Sequence, residues 1–209
     1  MQLTFVILAA AGTALAGKPS TALEDNACRR QLTASPAPQL APRQNACFVV
    51  GNSVLPQEVS DAVTSLQNKV TCDTSKTTIG KVPDVDAGGV TFSSINFANA
   101  KGQTPLAFAL EKFATTEPLA SNDLTKFQNE LDAYVATEAG IRSTGGNLAI
   151  KVPKFFLSMQ VQRIATAQGN PPKAAGQQVD HLRDKVLKNA PKENKALLDQ
   201  VTALAAKLS

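Results

Sequence analysis

Apolar residues spaced by three and four recur along the chain from Pro56 onward and predict about six helices. Val59, Val63, Leu66 and Val70 make a narrow stripe after Pro56 and Glu58. Leu106, Leu110 and Phe113 make a second, opened by Pro105 and closed before Pro118. Leu124, Phe127, Leu131 and Val135 mark the longest helix, which runs to about Ile141 with Ser121 as N-cap and Asp123 in its first turn. Val179, Leu182 and Val186 predict a helix over Ala175 to Ala190; Leu197, Val201, Leu204 and Leu208 predict another over Lys192 to Leu208. With only Pro191 between them, the last two should form an αα-hairpin.

The stretch Lys151–Ala167, KVPKFFLSMQVQRIATA, differs from these. Projected at 100° per residue, Phe155, Phe156 and Met159 fall on one side and Leu157, Val161 and Ile164 on the other. A helix apolar on two sides is a buried one, so the other helices should pack around it. Pro153 fits its first turn, and Gly169, Asn170, Pro171 and Pro172 stop it.

Period-two character is confined to short runs. Cys47 to Val50 reads as a strand closed by Gly51-Asn52, and Thr77 to Val82 with Val90 to Phe97 could pair as a hairpin across Pro83 and Gly88-Gly89. The fold class expected is therefore α+β: a mainly helical single domain over residues 46–209 with a short N-terminal β element. Residues 17–45 have little to bury, and Pro36, Pro38 and Pro42 give them the character of a pro-segment or Pro-rich tether.

The run Leu3 to Ala16 is too short to span a bilayer and ends in Ala14-Leu15-Ala16, a small-x-small pattern. It predicts a signal peptide over residues 1–16, cleaved after Ala16, and a secreted, extracellular product. Three cysteines leave one unpaired. Cleavage after the dibasic pair Arg29-Arg30 would remove Cys28 and leave Cys47 and Cys72 to bridge in an oxidising compartment. Alternatively Cys28 stays, free or paired with another molecule. The net charge of +4 is too small to argue for nucleic acid, and the chain lacks Trp and has only Tyr134 beside its Phe residues.

The candidate chemistry is sparse. Glu138 falls inside the apolar arc of the long helix, and Arg142 lies four residues on, the favourable order for an ion pair. An inward carboxylate needs a partner or it protonates; Arg163 of the buried helix is a second candidate. The functional reading makes Glu138 an acid or base and the arginines anion binders, whereas the structural reading makes the group a buried ion pair, or lets Glu138 reach water where the helix frays at Gly140. From Ala139 to Val179 there is no Asp or Glu, and Arg142, Lys151, Lys154, Arg163 and Lys173 could form a basic face or simply a solvated rim. His181 projects away from Val179, Leu182 and Val186 and should be exposed. One histidine and three cysteines cannot assemble an ordinary zinc site, and HExxH, P-loop, GxGxxG and GxSxG patterns are absent. No cofactor and no metal are expected.

The strings NACFVVGN at Asn45 to Asn52, EAGIRSTGGNLAIKVPKFFLSMQVQRI at Glu138 to Ile164, and TAQGNPP followed by QQVDHLRDKV resemble a family of small secreted proteins of filamentous fungi with no assigned biochemical function. The resemblance covers most of residues 45–203 and implies fungal origin and secretion, with a role at the cell wall or a host surface; it transfers no catalytic residue. Three functions are then in play. The first is an effector- or elicitor-like protein that binds a cell-wall polysaccharide or host surface protein without catalysis. The second is an extracellular hydrolase using Glu138 with Arg142 and Arg163. The third is a carrier with an apolar cavity beside Phe155, Phe156 and Met159.

Overall fold

The structure, a computed structural model, describes residues 46–209. The expected signal peptide, its cleavage after Ala16, the tether, Cys28 and the dibasic site at Arg30 lie outside the described residues. Six α-helices and a small three-stranded antiparallel sheet make up the described chain. In order they are α1 (Gln57–Leu66), β1 (Val70–Thr77), β2 (Pro83–Ala87), β3 (Val90–Thr91), α2 (Pro105–Lys112), α3 (Leu124–Ser143), α4 (Lys151–Ala167), α5 (Val179–Asn189) and α6 (Lys195–Ala206).

The central helix is α4, as its two apolar faces require. It packs against α2, α3, α5 and α6, and Phe156, Leu157, Met159 and Ile164 are fully buried. Phe155 is only partly buried at its edge. Beside α4, Tyr134 of α3 takes edge-on contacts from Phe92 and Phe113 at centroid distances of 5.2 and 5.7 Å. Its hydroxyl donates to the Ile95 carbonyl at 2.6 Å, which satisfies the one polar atom the ring brings into the core.

The β elements differ from the sequence expectation. Cys47 to Val50 forms a turn and not a strand, and the sheet's first strand is β1, paired Val70↔Ala87 and Cys72↔Val85 with β2. Most of β1 is polar and exposed, so it shows no alternation; Val70, which continues the α1 stripe by spacing, in fact starts the strand after the helix has ended at Leu66. The hairpin that does form joins β2 to β3 through Gly88 and Gly89. Both have positive φ, as a two-residue primed turn demands. Further boundaries move. Asp123, not Ser121, caps α3, its carboxylate accepting from the Lys126 N–H at 3.1 Å, while Ser121 ends a short 3-10 turn. α5 begins at Val179, four residues later than the expected start at Ala175, after a separate turn at Ala175–Gln177, and α6 covers Lys195–Ala206 within the expected span of Lys192 to Leu208.

Cys47 and Cys72 are bridged, which ties the segment before α1 to β1. That segment continues across the C-terminal end of α3: the Gly51 N–H donates to Ser143 Oγ and the Ser53 N–H to the Ser143 carbonyl, both at 2.8 Å. Helix α3 does not fray at Gly140. It runs on to Ser143, and Gly140 is where the Phe48 backbone crosses it. A Cβ at Gly140 would lie 2.5 Å from the Phe48 carbonyl oxygen and 2.7 Å from both Val82 methyls. Alanine is ordinarily the better helix residue by roughly 1 kcal/mol. Gly140→Ala should therefore show the opposite sign, a loss of about 1–3 kcal/mol from overpacking, read as a lowered urea midpoint.

Candidate functional site: a buried ion triad and a guanidinium apart from it

Glu138 lies five residues before the end of α3, and Lys154 is the fourth residue of α4. The connection between the two helices is short, so the last turns of one lie beside the first turns of the other. The Glu138 side chain is 3% exposed. Its Oε1 accepts from Arg142 Nε and Nη2, both at 2.8 Å, and its Oε2 is 2.5 Å from Lys154 Nζ. Arg142 and Lys154 keep 15% and 17% of their side-chain surface, so the triad touches solvent only through its cations. The Lys154 ammonium also stands over the Phe155 ring, 4.2 Å from its centroid.

Two opposed effects act on the Glu138 carboxyl. Burial pushes its pKa up, but Lys154 and Arg142 outweigh burial, and the group titrates below the ordinary glutamate value. Glu130, one helical stretch earlier on α3, goes the other way: burial raises it, with Lys126 and Lys112 opposing. A carboxylate held ionised by two cations is suited to joining helices. It is poorly suited to donating a proton at neutral pH, because a general acid needs a raised pKa.

Arg163 is not a partner of Glu138. At 1.5 Å per residue it lies about 13 Å further along α4 than Lys154, at the other end of the helix. There it is fully buried. Nη1 donates to Gln160 Oε1 at 2.6 Å and to Thr115 Oγ1 at 3.3 Å, Nε donates to the Lys207 carbonyl at 3.1 Å, and Nη2 has no partner. Burial lowers its pKa from the usual arginine value, with Glu117 pulling the other way. Gln160 completes the group by donating to the Phe113 carbonyl at the end of α2, at 2.8 Å. The sequence carries a signal for Gln160: it lies on one line with Phe156 and Ile164, so an amide there is buried.

The basic face divides. Arg142 and Lys154 turn onto Glu138, Arg163 is buried, Lys151 is half-buried at the start of α4, and Lys173 is exposed. His181 is exposed, as its projection required. Among the described residues no group of His, Cys, Asp and Glu could hold a metal ion, and no helix is long and apolar enough to cross a membrane. Next to the Arg163 group, α2, α4 and α6 border an open cleft of about 300 Å3.

Fold and site together define a mainly helical α+β domain in which an ion triad fastens consecutive helices. The chain belongs to a family described as a domain of unknown function, DUF7143, matched over residues 49–209. Comparison with curated proteins and with solved structures gives no match.

Proposed function

We propose that this is a secreted, non-enzymatic protein that acts by binding at a cell wall or host surface, in the manner of an effector or elicitor, and that its source is a filamentous fungus. The observation that carries the reading is the state of Glu138. It is the one carboxylate the sequence nominated for acid or base work, and both its oxygens are held by cations. The hydrolase reading requires that carboxylate to leave Arg142 and Lys154 and reach a substrate through a surface that exposes 3% of it. The Cys47–Cys72 bridge fits an oxidising, extracellular compartment.

The test is to incubate the purified full chain with insoluble chitin, β-glucan and plant cell-wall fractions, and to assay both retention and release of soluble sugars. Retention on one fraction without release is the expected result, and it should persist in Glu138→Gln protein verified as folded by circular dichroism. Sugar release that disappears in folded Glu138→Gln would establish the hydrolase instead.

A further inference from the structure

We infer that the cleft between α2, α4 and α6 is a binding site for a small amphipathic carboxylate, with Arg163 as the cationic anchor for its charged end. Leu110, Ala114, Ala203 and Leu204 supply apolar wall, and the polar groups of the cleft are Thr115, Gln160, Gln200 and Lys207. Three of these, Thr115, Gln160 and Lys207, accept hydrogen bonds from the Arg163 guanidinium. The buried cation thus stands directly behind the cleft's polar side.

Its acceptors are all neutral: a hydroxyl, an amide oxygen and a backbone carbonyl. No carboxylate forms an ion pair with Arg163 among the described residues, and no Asp or Glu lines the cleft, whereas Lys207 does. Glu117 acts on Arg163 only from beyond ion-pair distance, and a fully buried guanidinium with neutral hydrogen-bond partners and one unpartnered nitrogen is an expensive arrangement that an anion in contact relieves. Lys207 follows the last helical residue of α6, Ala206, so its carbonyl is an acceptor at a helix end and can yield to an incoming carboxylate. That exchange replaces a neutral acceptor by a charged one, and a carboxylate can bridge two guanidinium nitrogens where the carbonyl takes one.

The volume limits the rest of the ligand. A space of about 300 Å3 is at the lower end of small-molecule sites, which run from about 300 to 1,000 Å3. One short alkyl chain or a single aromatic ring fills it against the leucines. This differs from the expected carrier cavity beside Phe155, Phe156 and Met159 both in place and in needing a charge. It is also independent of which surface the protein binds.

Decanoate serves as probe and decanol as its uncharged counterpart, each titrated calorimetrically into the purified full chain. Decanoate should bind roughly tenfold or more tightly than decanol, the factor expected of one charge-assisted contact. Ala203→Phe places a ring in the cleft from an exposed position of α6 and should abolish decanoate binding while the fold is retained. Arg163→Met should erase the preference for the acid over the alcohol. Absence of decanoate binding, equal affinity for acid and alcohol in the unaltered protein, or binding that survives Ala203→Phe would each overturn the assignment. Should Arg163→Met fail to fold, the Ala203→Phe result and the acid-to-alcohol comparison still decide it.

Discussion

Replacing Glu138 by alanine should destabilise the domain by about 3–5 kcal/mol, the usual loss when one partner of a buried charge group is removed. For a domain of this size that is a fall in Tm of about 10 °C or more. The magnitude comes less from the attraction lost than from what remains: Arg142 and Lys154, both largely buried and both aimed at one point, would face each other with no anion between them. A simultaneous change of all three to apolar residues of similar volume should therefore cost far less than Glu138→Ala alone. The pH dependence has a definite sign. The folded protein holds the Glu138 proton less tightly than the unfolded chain does, so this contribution is complete above the model-peptide value of 4.5 and is lost as pH falls through the lower folded value. Differential scanning calorimetry of wild-type and Glu138→Ala protein across that range should show the gap in Tm closing on acidification. A constant gap would mean that Glu138 contributes through packing and not charge.

Reduction of Cys47–Cys72, or its removal as a Cys47→Ala, Cys72→Ala pair, is the second large effect expected. The bridge spans a sequence separation of 25, and constraining that loop in the unfolded chain is worth about 3.5 kcal/mol in the chain-entropy account. The native state has its own stake in it. The bridge positions the segment that carries Phe48 into the core and lays Gly51 and Ser53 on Ser143. Denaturant unfolding with and without reductant measures the global loss. Hydrogen exchange at the Gly51 and Ser53 amides should quicken first, since these close the docking of that segment on α3. Equal midpoints in the two redox states would contradict the expectation.

The helices were legible because burial imposed a period on them, and the reach of that reading follows the reach of burial. α4 was recognisable as central from two apolar arcs in one stretch, and its end at Ala167 falls just before the breakers Gly169, Asn170, Pro171 and Pro172. Strand β1 was not legible because its residues mostly face solvent, where no alternation is enforced, and because Val70 satisfies the helical spacing and the strand's buried end equally. The Asp123 and Ser121 exchange turned on which of two capping residues reached the first free N–H, a choice made by the loop before it.

The same limit governed the ion triad. Projection on a single helix revealed that Glu138 points inward and that Arg142 follows it, and both proved correct. Choosing its partner on α4 required axial position as well as angle. Angle favoured Arg163, but the short connection between α3 and α4 places only the first turns of α4 within reach, and Lys154 is there. The cleft beside Arg163 is built from α2, α4 and the end of α6, elements remote in sequence, and no local pattern brings them together.

The central claim is that Glu138 is a structural anion sealed between two cations, and the carboxyl carbon of Glu138, followed by NMR as a function of pH, reports on it directly. The account requires a midpoint below the ordinary glutamate value, with the Arg142 and Lys154 side-chain signals shifting in step. A midpoint raised toward neutrality would contradict it and return Glu138 to the role of an acid.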